Sequence, residues 1–205
     1  MFYQTIPSPQ TAPTNTPGID ADRREGARAS TVLLIGKVND GATDNACLVL
    51  NLSEYGLMAR LSFVPKVGQM LEIELRGLPR CMAQVRWVNG MKAGMQFAER
   101  QNIESVFCLM NENGVVARAP RFDVSLDAVV RLSGRQFAAR IVNISPGGVR
   151  LEADVPVERG QTGQILLPGH QICLFGSVRW VEGNAFGMHF STPLPLGNLR
   201  DCLEG

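Results

Sequence analysis

An arginine cluster near the N-terminus has the chemistry to bind an anionic ligand. Arg24 and Arg28 have an RxxxR spacing, and Arg23 directly precedes them. A guanidinium group can donate two parallel hydrogen bonds to guanine O6 and N7, stack on a base, or bind a phosphate. Arginines ahead of a first strand are usually solvated without any ligand. The cluster therefore indicates a binding site only if other polar groups lie close to it.

A second polar group follows 23 residues after Arg28, in an Asn-x-Ser-x-x-Gly segment made by Asn51, Ser53 and Gly56. Asn and Ser side chains can bond the backbone of a turn, and glycine lets another chain approach closely. The same amide and hydroxyl can also bind a base edge or a sugar. If the arginine segment folds over this turn, the two groups together favour a compact guanine nucleotide with several phosphates.

Signatures of catalysis are scarce in this sequence. Its two histidines, His170 and His189, do not occur in an HExxH motif, and there is no GxSxG or Walker-type segment. The five cysteines are far apart, which argues against a zinc site or a disulfide framework and is typical of a reducing cytoplasm. We therefore expect a cytoplasmic protein that is not an enzyme and has no metal or cofactor.

Length and composition limit the class of protein further. The chain has 205 residues, of which 45% are hydrophobic and 19% are charged, as in ordinary globular proteins. No apolar run is long enough to predict a membrane-spanning helix, and the N-terminus lacks the features of a secretory signal. A net charge of +1, with two Trp and two Tyr, disfavours a protein that binds DNA or RNA, although Arg outnumbers Lys by 17 to 3.

The elements that must position these residues are repeated along the chain. Residues 1–20 are rich in Pro and Thr and are predicted to be a disordered arm. Residues 51–69 align without a gap with residues 143–161, and VRWVNGMKAGMQF aligns with VRWVEGNAFGMHF, with eight of thirteen positions identical. This duplication predicts two domains, at 21–114 and 115–205.

Each copy is predicted to be a small, closed, antiparallel β-barrel, which makes the protein all-β. Leu71, Ile73 and Leu75 alternate with charged residues, as in a half-buried strand. Six strands can close on themselves and leave no exposed edge. The six predicted strands of the first copy are STVLLIGKV, ACLVLNL, GLMARLS, QMLEIEL, CMAQVRWV and AGMQF. Because Trp87 and Trp180 alternate with arginines, we expect both indoles in the barrel cores.

A short helix is predicted after each barrel. Within residues 99–114, four apolar residues have the spacing of an amphipathic helix, namely Ile103, Val106, Phe107 and Met110. Asn113 and Gly114 favour its end. Leu196, Leu199 and Leu203 indicate a shorter counterpart near the C-terminus.

The order and spacing of these motifs resemble the PilZ family. RxxxR is followed by [Asp/Asn]-x-Ser-x-x-Gly and by a barrel that ends in Gly-x-x-Phe, and the resemblance covers residues 22–110 and 117–192. It implies six-stranded barrels and binding of the bacterial second messenger cyclic di-GMP. It also implies that Arg24 and Arg28 hold the guanines and phosphates, and that the pocket is completed by Asn51, Ser53 and Gly56. Arg23 matches an extra arginine that is often linked to a stacked ligand dimer.

The second copy departs from the family pattern. Arg121 lies 22 residues before Asn143 and so corresponds to Arg28, whereas Ala117 stands where Arg24 stands in the first copy. Pro120 also stiffens this segment. A degenerate second site is possible at Arg118, Arg121, Asn143, Ser145 and Gly148. We expect a fragment of about residues 115–205 to fold, because it has a full set of strands, but to show no measurable binding at micromolar ligand.

The sequence therefore favours a cytoplasmic cyclic di-GMP receptor with its ligand at the first barrel. Binding is expected to order residues 22–29 and to change the surface presented to a partner protein, whose identity the sequence does not give. The alternative is an adaptor whose barrels bind a protein and no nucleotide. In either case we expect no DNA or RNA partner and no insertion into a membrane.

Overall fold

A computed structural model describes residues 30–108, 117–167, 169 and 171–204. The predicted disordered arm lies outside the described residues, as does the arginine cluster Arg23, Arg24 and Arg28. His170 and Met110 are also outside them.

The first copy is a closed antiparallel barrel of six strands, as the sequence predicted. Neighbouring strands follow the order β1-β2-β3-β6-β5-β4, and β4 pairs with β1 to close the barrel. The strands are β1 (Ser30–Asn39), β2 (Asp44–Ser53), β3 (Gly56–Arg60), β4 (Met70–Leu75), β5 (Leu78–Asn89) and β6 (Lys92–Phe97). Closure pairs the strands at both edges of the sheet, so the barrel presents no open edge to another chain.

The second copy repeats this topology. Its order is β7-β8-β9-β12-β11-β10, with β10 paired to β7. The strands are β7 (Phe122–Leu132), β8 (Arg135–Ser145), β9 (Gly148–Glu152), β10 (Thr162–Leu167), β11 (Ile172–Glu182) and β12 (Ala185–Phe190). The prediction of two tandem all-β barrels is therefore confirmed.

Alternating burial explains why these segments form strands. On β4, Leu71, Ile73 and Leu75 are buried in the barrel, whereas the intervening Glu72 and Glu74 remain partly solvated. The period of two is the one that a half-buried strand requires. Each barrel has its own cluster of buried apolar side chains, so each has a hydrophobic core.

The helix predicted over residues 99–114 was wrong at its start. Only α1 (Glu104–Phe107) is helical among the described residues of that segment. Residues 98–101 are instead tied to the barrel, because Ala98 N–H donates to the Met82 carbonyl and Gln101 N–H donates to the Glu54 carbonyl, both at 2.8 Å. These long-range bonds hold residues 98–101 against the barrel, and the helix forms only after them, from Glu104.

The predicted C-terminal helix is confirmed as α2 (Leu196–Glu204). Leu199 and Cys202 are buried in the core cluster of the second barrel, and Leu196 and Leu203 pack against that cluster. One element of the first barrel also touches α2, since an Nη of Arg200 donates to the carbonyl of Arg60 at 3.4 Å. The helix therefore lies where the two barrels meet.

The two barrels share an interface centred on Lys37 of β1. Its Nζ donates to the carbonyl of Arg121 at 3.0 Å and forms an ion pair with Asp44. The same ammonium lies 5.5 Å from the centre of the Phe122 ring. Ala46 belongs to the core cluster of the second barrel, so apolar packing continues from one barrel to the other.

No helix among the described residues is long and apolar enough to cross a membrane.

The five cysteines are all free thiols, and three of them are at least half-buried. Burial raises the pKa of Cys47 to about 12, and burial is also the main cause that raises the pKa of Cys81 and Cys202 to about 11. Such thiols are almost fully protonated at neutral pH and are poor nucleophiles.

Candidate functional site

Each barrel has a pocket at the same place, beside the turn of the Asn-x-Ser-x-x-Gly segment. The volumes are about 320 Å³ in the first barrel and about 590 Å³ in the second. Side chains of the first pocket come from Asn51, Ser53, Tyr55, Met58, Arg86, Trp87 and Gln96. At equivalent positions the second pocket has Ser145, Arg179, Trp180 and His189. The pocket is thus part of the duplicated unit.

The structure brings part of each predicted site together. Asn51, Ser53 and Gly56 all line the first pocket, while the arginines predicted to face them lie outside the described residues. In the second copy, four of the five predicted residues line the pocket, namely Arg118, Arg121, Ser145 and Gly148. The fifth, Asn143, accepts a hydrogen bond from Arg121 Nη1 at 3.4 Å.

The serine of the motif holds the turn in both barrels. Ser53 Oγ donates to the carbonyl of Gly56 at 3.1 Å, and Ser145 Oγ donates to the carbonyl of Gly148 at the same distance. A hydroxyl that bonds a nearby carbonyl in this way fixes the backbone of the turn. Because both copies form this bond within the turn, the serine has a structural role of its own.

The glycine of the motif is needed for strand packing. A Cβ atom at Gly56 would overlap the carbonyl oxygen of Met95 on β6, and one at Gly148 would overlap the carbonyl oxygen of Met188 on β12. Neither glycine has a positive φ. Close approach of the neighbouring strand therefore explains both glycines, and it keeps the floor of each pocket free of side chains at that point.

Two β-bulges aim side chains into the first pocket. The pairing of β2 with β3 shifts between Val49 and Asn51, and the pairing of β5 with β6 shifts between Val85 and Trp87. An extra residue in one strand breaks the strict alternation of sides. Asn51 and Trp87 consequently line the pocket outside the barrel.

The prediction that both tryptophans belong to the barrel cores was wrong for this reason. Trp87 is 44% exposed, and Trp180 is partly exposed on the wall of the second pocket. Each indole lies against a glycine of the next strand, Gly94 or Gly187, where a Cβ atom would overlap the ring nitrogen. The indole is thus held flat on the outer surface of the barrel, within reach of a ligand.

The amide oxygen of Asn51 belongs to the first pocket. It is buried and has no hydrogen-bond partner among the residues that the structure describes. In the second pocket the equivalent oxygen, on Asn143, accepts the bond from Arg121. A buried acceptor without a partner costs about 1–3 kcal/mol. Among the described residues, the Asn51 oxygen therefore lacks the hydrogen bond that a guanidinium supplies to the equivalent oxygen of the second copy.

Positive charge is concentrated in the second pocket. The pKa of Arg121 is lowered, mainly by burial and also by the positive charges of Arg118 and Arg150. The guanidinium of Arg150 lies 5.8 Å from the centre of the Trp180 ring. The first pocket has Arg86, whose Nε donates to Gln96 Oε1 at 2.8 Å. Both pockets thus offer donors to an anion, and the second offers more of them.

Several lining residues were not predicted from the sequence. Arg86, Arg179 and His189 come from strands that the sequence indicated only as barrel walls. The exact repetition of VRWV in both copies was the available signal, because a repeated arginine next to a repeated tryptophan is not needed for a barrel core. Arg76 of the first barrel lines the second pocket, and no local pattern indicated that.

No group of His, Cys, Asp or Glu side chains suited to a metal ion occurs in the described part of the chain. The described lining of the two pockets offers guanidinium groups, amides and indole faces to an anionic organic ligand. Ring faces and cationic donors together are the features that recognise a nucleotide.

Comparison with solved structures finds chains of low sequence identity. The PlzA protein of Borreliella burgdorferi, in complex with c-di-GMP, is 11% identical, with 82% of this chain and 85% of that chain covered and a TM-score of 0.40. YcgR from Escherichia coli, also in complex with c-di-GMP, is 11% identical, with 84% and 81% covered and a TM-score of 0.34. The inhibitor of motility MotI of Bacillus subtilis is 13% identical, with 83% and 92% covered and a TM-score of 0.33.

Comparison with curated protein sequences finds no match. A family model does match, and it does so twice. The model described as PilZ domain matches residues 22–109 and again residues 116–205, which is most of the chain and includes both barrels and both pockets. The chain therefore belongs to the PilZ domain family, with one PilZ domain in each half.

Proposed function

We propose that the protein is a receptor for cyclic di-GMP that binds its ligand at the first barrel. Membership of the PilZ family supports this ligand, together with a pocket that offers an arginine, an indole and an amide oxygen without a hydrogen-bond partner among the described residues. Arg24 and Arg28 would hold the guanines and phosphates, and Arg23 would serve a stacked ligand dimer. Asn51 would bind the ligand or orient an arginine, while Ser53 and Gly56 shape the turn.

One observation carries the assignment of the arginines. In the second copy, Arg121 stands 22 residues before Asn143, and the two side chains are hydrogen-bonded. The duplicated barrel thus places an arginine of the preceding segment at the asparagine of the turn. Arg28 stands 23 residues before Asn51 in the first copy, and the Asn51 oxygen, which has no partner in the described part of the chain, is the matching acceptor.

The receptor would act by changing a surface. Drawing residues 22–29 over the first pocket would cover part of the barrel and expose a different face to a partner protein. The protein would act in the cytoplasm, where the nucleotide is made and where free thiols persist. In this role the protein would bind the nucleotide without catalysing a reaction on it.

The two tryptophans allow the first site to be measured by itself. A Trp180→Phe variant keeps Trp87 as its single tryptophan, and Trp87 lines the first pocket. In this background, titration with cyclic di-GMP should change the indole fluorescence. Arg28→Ala should raise the Kd roughly tenfold to a hundredfold, because each charge-assisted hydrogen bond contributes about 1.5–3 kcal/mol.

Arg80→Ala is the matched control, since it removes an exposed guanidinium that pairs with Glu74 at 3.0 Å, away from the pocket. Arg28→Ala should leave the unfolding midpoint of the free protein nearly unchanged. Normal binding by Arg28→Ala would show that the pocket is assigned to the wrong residues. Absence of any response to cyclic di-GMP, in fluorescence and in calorimetry, would instead favour the adaptor.

Selectivity for guanine is the second test. A donor placed for guanine O6 is opposed by the amino group of adenine, although N7 is an acceptor in both bases, so cyclic di-AMP should bind at least about 100-fold more weakly. Competition of the two dinucleotides for the Trp87 signal measures this ratio directly. Equal affinities would refute base readout by the arginines.

A further inference from the structure

The second pocket gathers four guanidinium groups from three parts of the chain. Arg118 and Arg121 come from the segment before β7, Arg179 comes from β11, and Arg76 comes from the turn between β4 and β5 of the first barrel. No carboxylate is among the described residues that line this pocket. Its wall is therefore built from both barrels and is strongly basic.

Arg76 is held at the pocket by a tight turn against α1. Gly77 has a φ of +76°, and a Cβ atom there would overlap the backbone of Ser105. This close approach places an Nη of Arg76 3.3 Å from the carbonyl of Val106, to which it donates. The Nε of Arg76 is buried and has no partner among the described residues. The side chain is thus positioned by one bond and keeps unused donors.

The cost of this arrangement indicates what the pocket is for. Burial is the main cause that lowers the pKa of Arg121, and the positive charges of Arg118 and Arg150 lower it further, so like charges gathered in this partly buried place disfavour the charged form. A bound polyanion relieves the repulsion and satisfies the donors at the same time.

The second copy lacks one arginine of the motif, and a side chain of the first barrel lines the same pocket. Ala117 stands at the position that corresponds to Arg24, and it lines the same pocket as Arg76. The volume of about 590 Å³ lies within the range of small-molecule sites.

We propose that Arg76 takes the place of the arginine that the second copy lacks, so that the second pocket is a nucleotide-phosphate site shared by both barrels. Arg179 is a further ligand-binding residue of this site. The class of ligand rests on the proposed function, whereas the composite site rests on the pocket itself. A ligand there contacts both barrels and therefore stabilises their present arrangement.

Trp180 makes the second site measurable in the full-length protein. A Trp87→Phe variant retains Trp180 as its single tryptophan, on the wall of the second pocket. Titration of this variant with cyclic di-GMP should change its fluorescence. Arg76→Ala in the same background should raise the Kd roughly tenfold to a hundredfold, and Arg80→Ala should leave it unchanged.

Arg179→Ala provides a second variant that does not depend on the packing of α1. Arg179 is exposed, so its removal should not affect folding, yet it should also weaken the Trp180 response about tenfold or more. Unfolding of each variant by urea separates a lost donor from a lost fold. If Arg76→Ala and Arg179→Ala both bind like Arg80→Ala, the composite site is refuted.

The two single-tryptophan proteins distinguish this inference from the proposed function. A response at Trp87 without one at Trp180 overturns the composite site and leaves the first-barrel site standing. A response at Trp180 that depends on Arg76, with none at Trp87, supports the composite site and overturns the assignment of the ligand to the first barrel. Binding at both, with a calorimetric stoichiometry of two sites, supports both.

Discussion

Lys37 should be the side chain on which the contact between the two barrels depends most. It is 7% exposed, and it connects three groups: the carboxylate of Asp44, the backbone carbonyl of Arg121 and the ring of Phe122. Lys37→Ala removes all three contacts at once. Since Arg121 lines the second pocket, the same change also releases the backbone of a proposed ligand-binding residue.

The expected loss follows from these contacts. The charge-assisted hydrogen bond to the Arg121 carbonyl contributes about 1.5–3 kcal/mol. The cation–π contact with Phe122 adds about 0.5–1 kcal/mol. Asp44 has 31% of its side chain exposed, so water can replace part of its lost partner, and the larger penalty of a fully buried unpaired charge does not apply. We expect a loss of about 2–4 kcal/mol in the free energy of unfolding.

Urea unfolding of the single-tryptophan proteins measures this loss barrel by barrel. With Lys37 present, the Trp87 and Trp180 signals should report nearly coincident transitions, and in Lys37→Ala they should separate. Lys92→Ala is the control, because Lys92 is an exposed lysine on β6. If Lys37→Ala costs no more than Lys92→Ala and the two transitions still coincide, the interface does not depend on Lys37.

Two further changes test the packing of the turn and the charge at the interface. Gly56→Ala should lower the free energy of unfolding by about 1–3 kcal/mol, because its Cβ would meet the Met95 carbonyl. Gly197→Ala on α2 has nothing within 4 Å of its Cβ and should raise the free energy of unfolding by about 0.5–1 kcal/mol. Equal effects of the two changes in urea unfolding would contradict this. Burial alone would raise the pKa of Asp44, but hydrogen bonds from Lys37 and Asn39 outweigh it and lower that pKa below the usual 3.8. The stability from Asp44 is therefore complete above about pH 5 and is lost as the pH falls further. The difference in unfolding free energy between the protein and Asp44→Asn should therefore shrink in acid, and a constant difference would refute the ion pair.

The fold could be predicted from the sequence because the relevant signals are local and occur twice. Alternation such as that of Leu71, Ile73 and Leu75 predicts which side of a strand faces the barrel core. The duplication indicates that the second set of strands forms the same unit. The helix after the first barrel was predicted too long, because apolar spacing cannot reveal that Gln101 is bonded to the distant carbonyl of Glu54. Long-range bonds of this kind override helix periodicity.

The pockets could be predicted only in part. The turn residues and the second-copy arginines lie together as expected, because short motifs fix them. The outward position of Trp87 depends on a bulge between Val85 and Trp87, and a pattern of alternating residues contains no sign of an extra residue. Arg76 reaches the second pocket from the other barrel, and the relative placement of two barrels is not a property of either sequence segment alone.

The duplication also separates what builds the pocket from what would give it a ligand. Both copies keep the serine bond across the turn, the glycine against the neighbouring strand and the indole lying on a glycine. Both barrels have all of these features, so the Asn-x-Ser-x-x-Gly motif indicates that the barrel is formed and does not by itself indicate that a ligand binds there. The copies differ in the charged groups around that common frame, with Arg76 beside Ala117 in the second pocket. Ligand binding in each PilZ domain should therefore follow the arginines that reach the pocket, including those supplied by the neighbouring barrel, and not the presence of the turn motif.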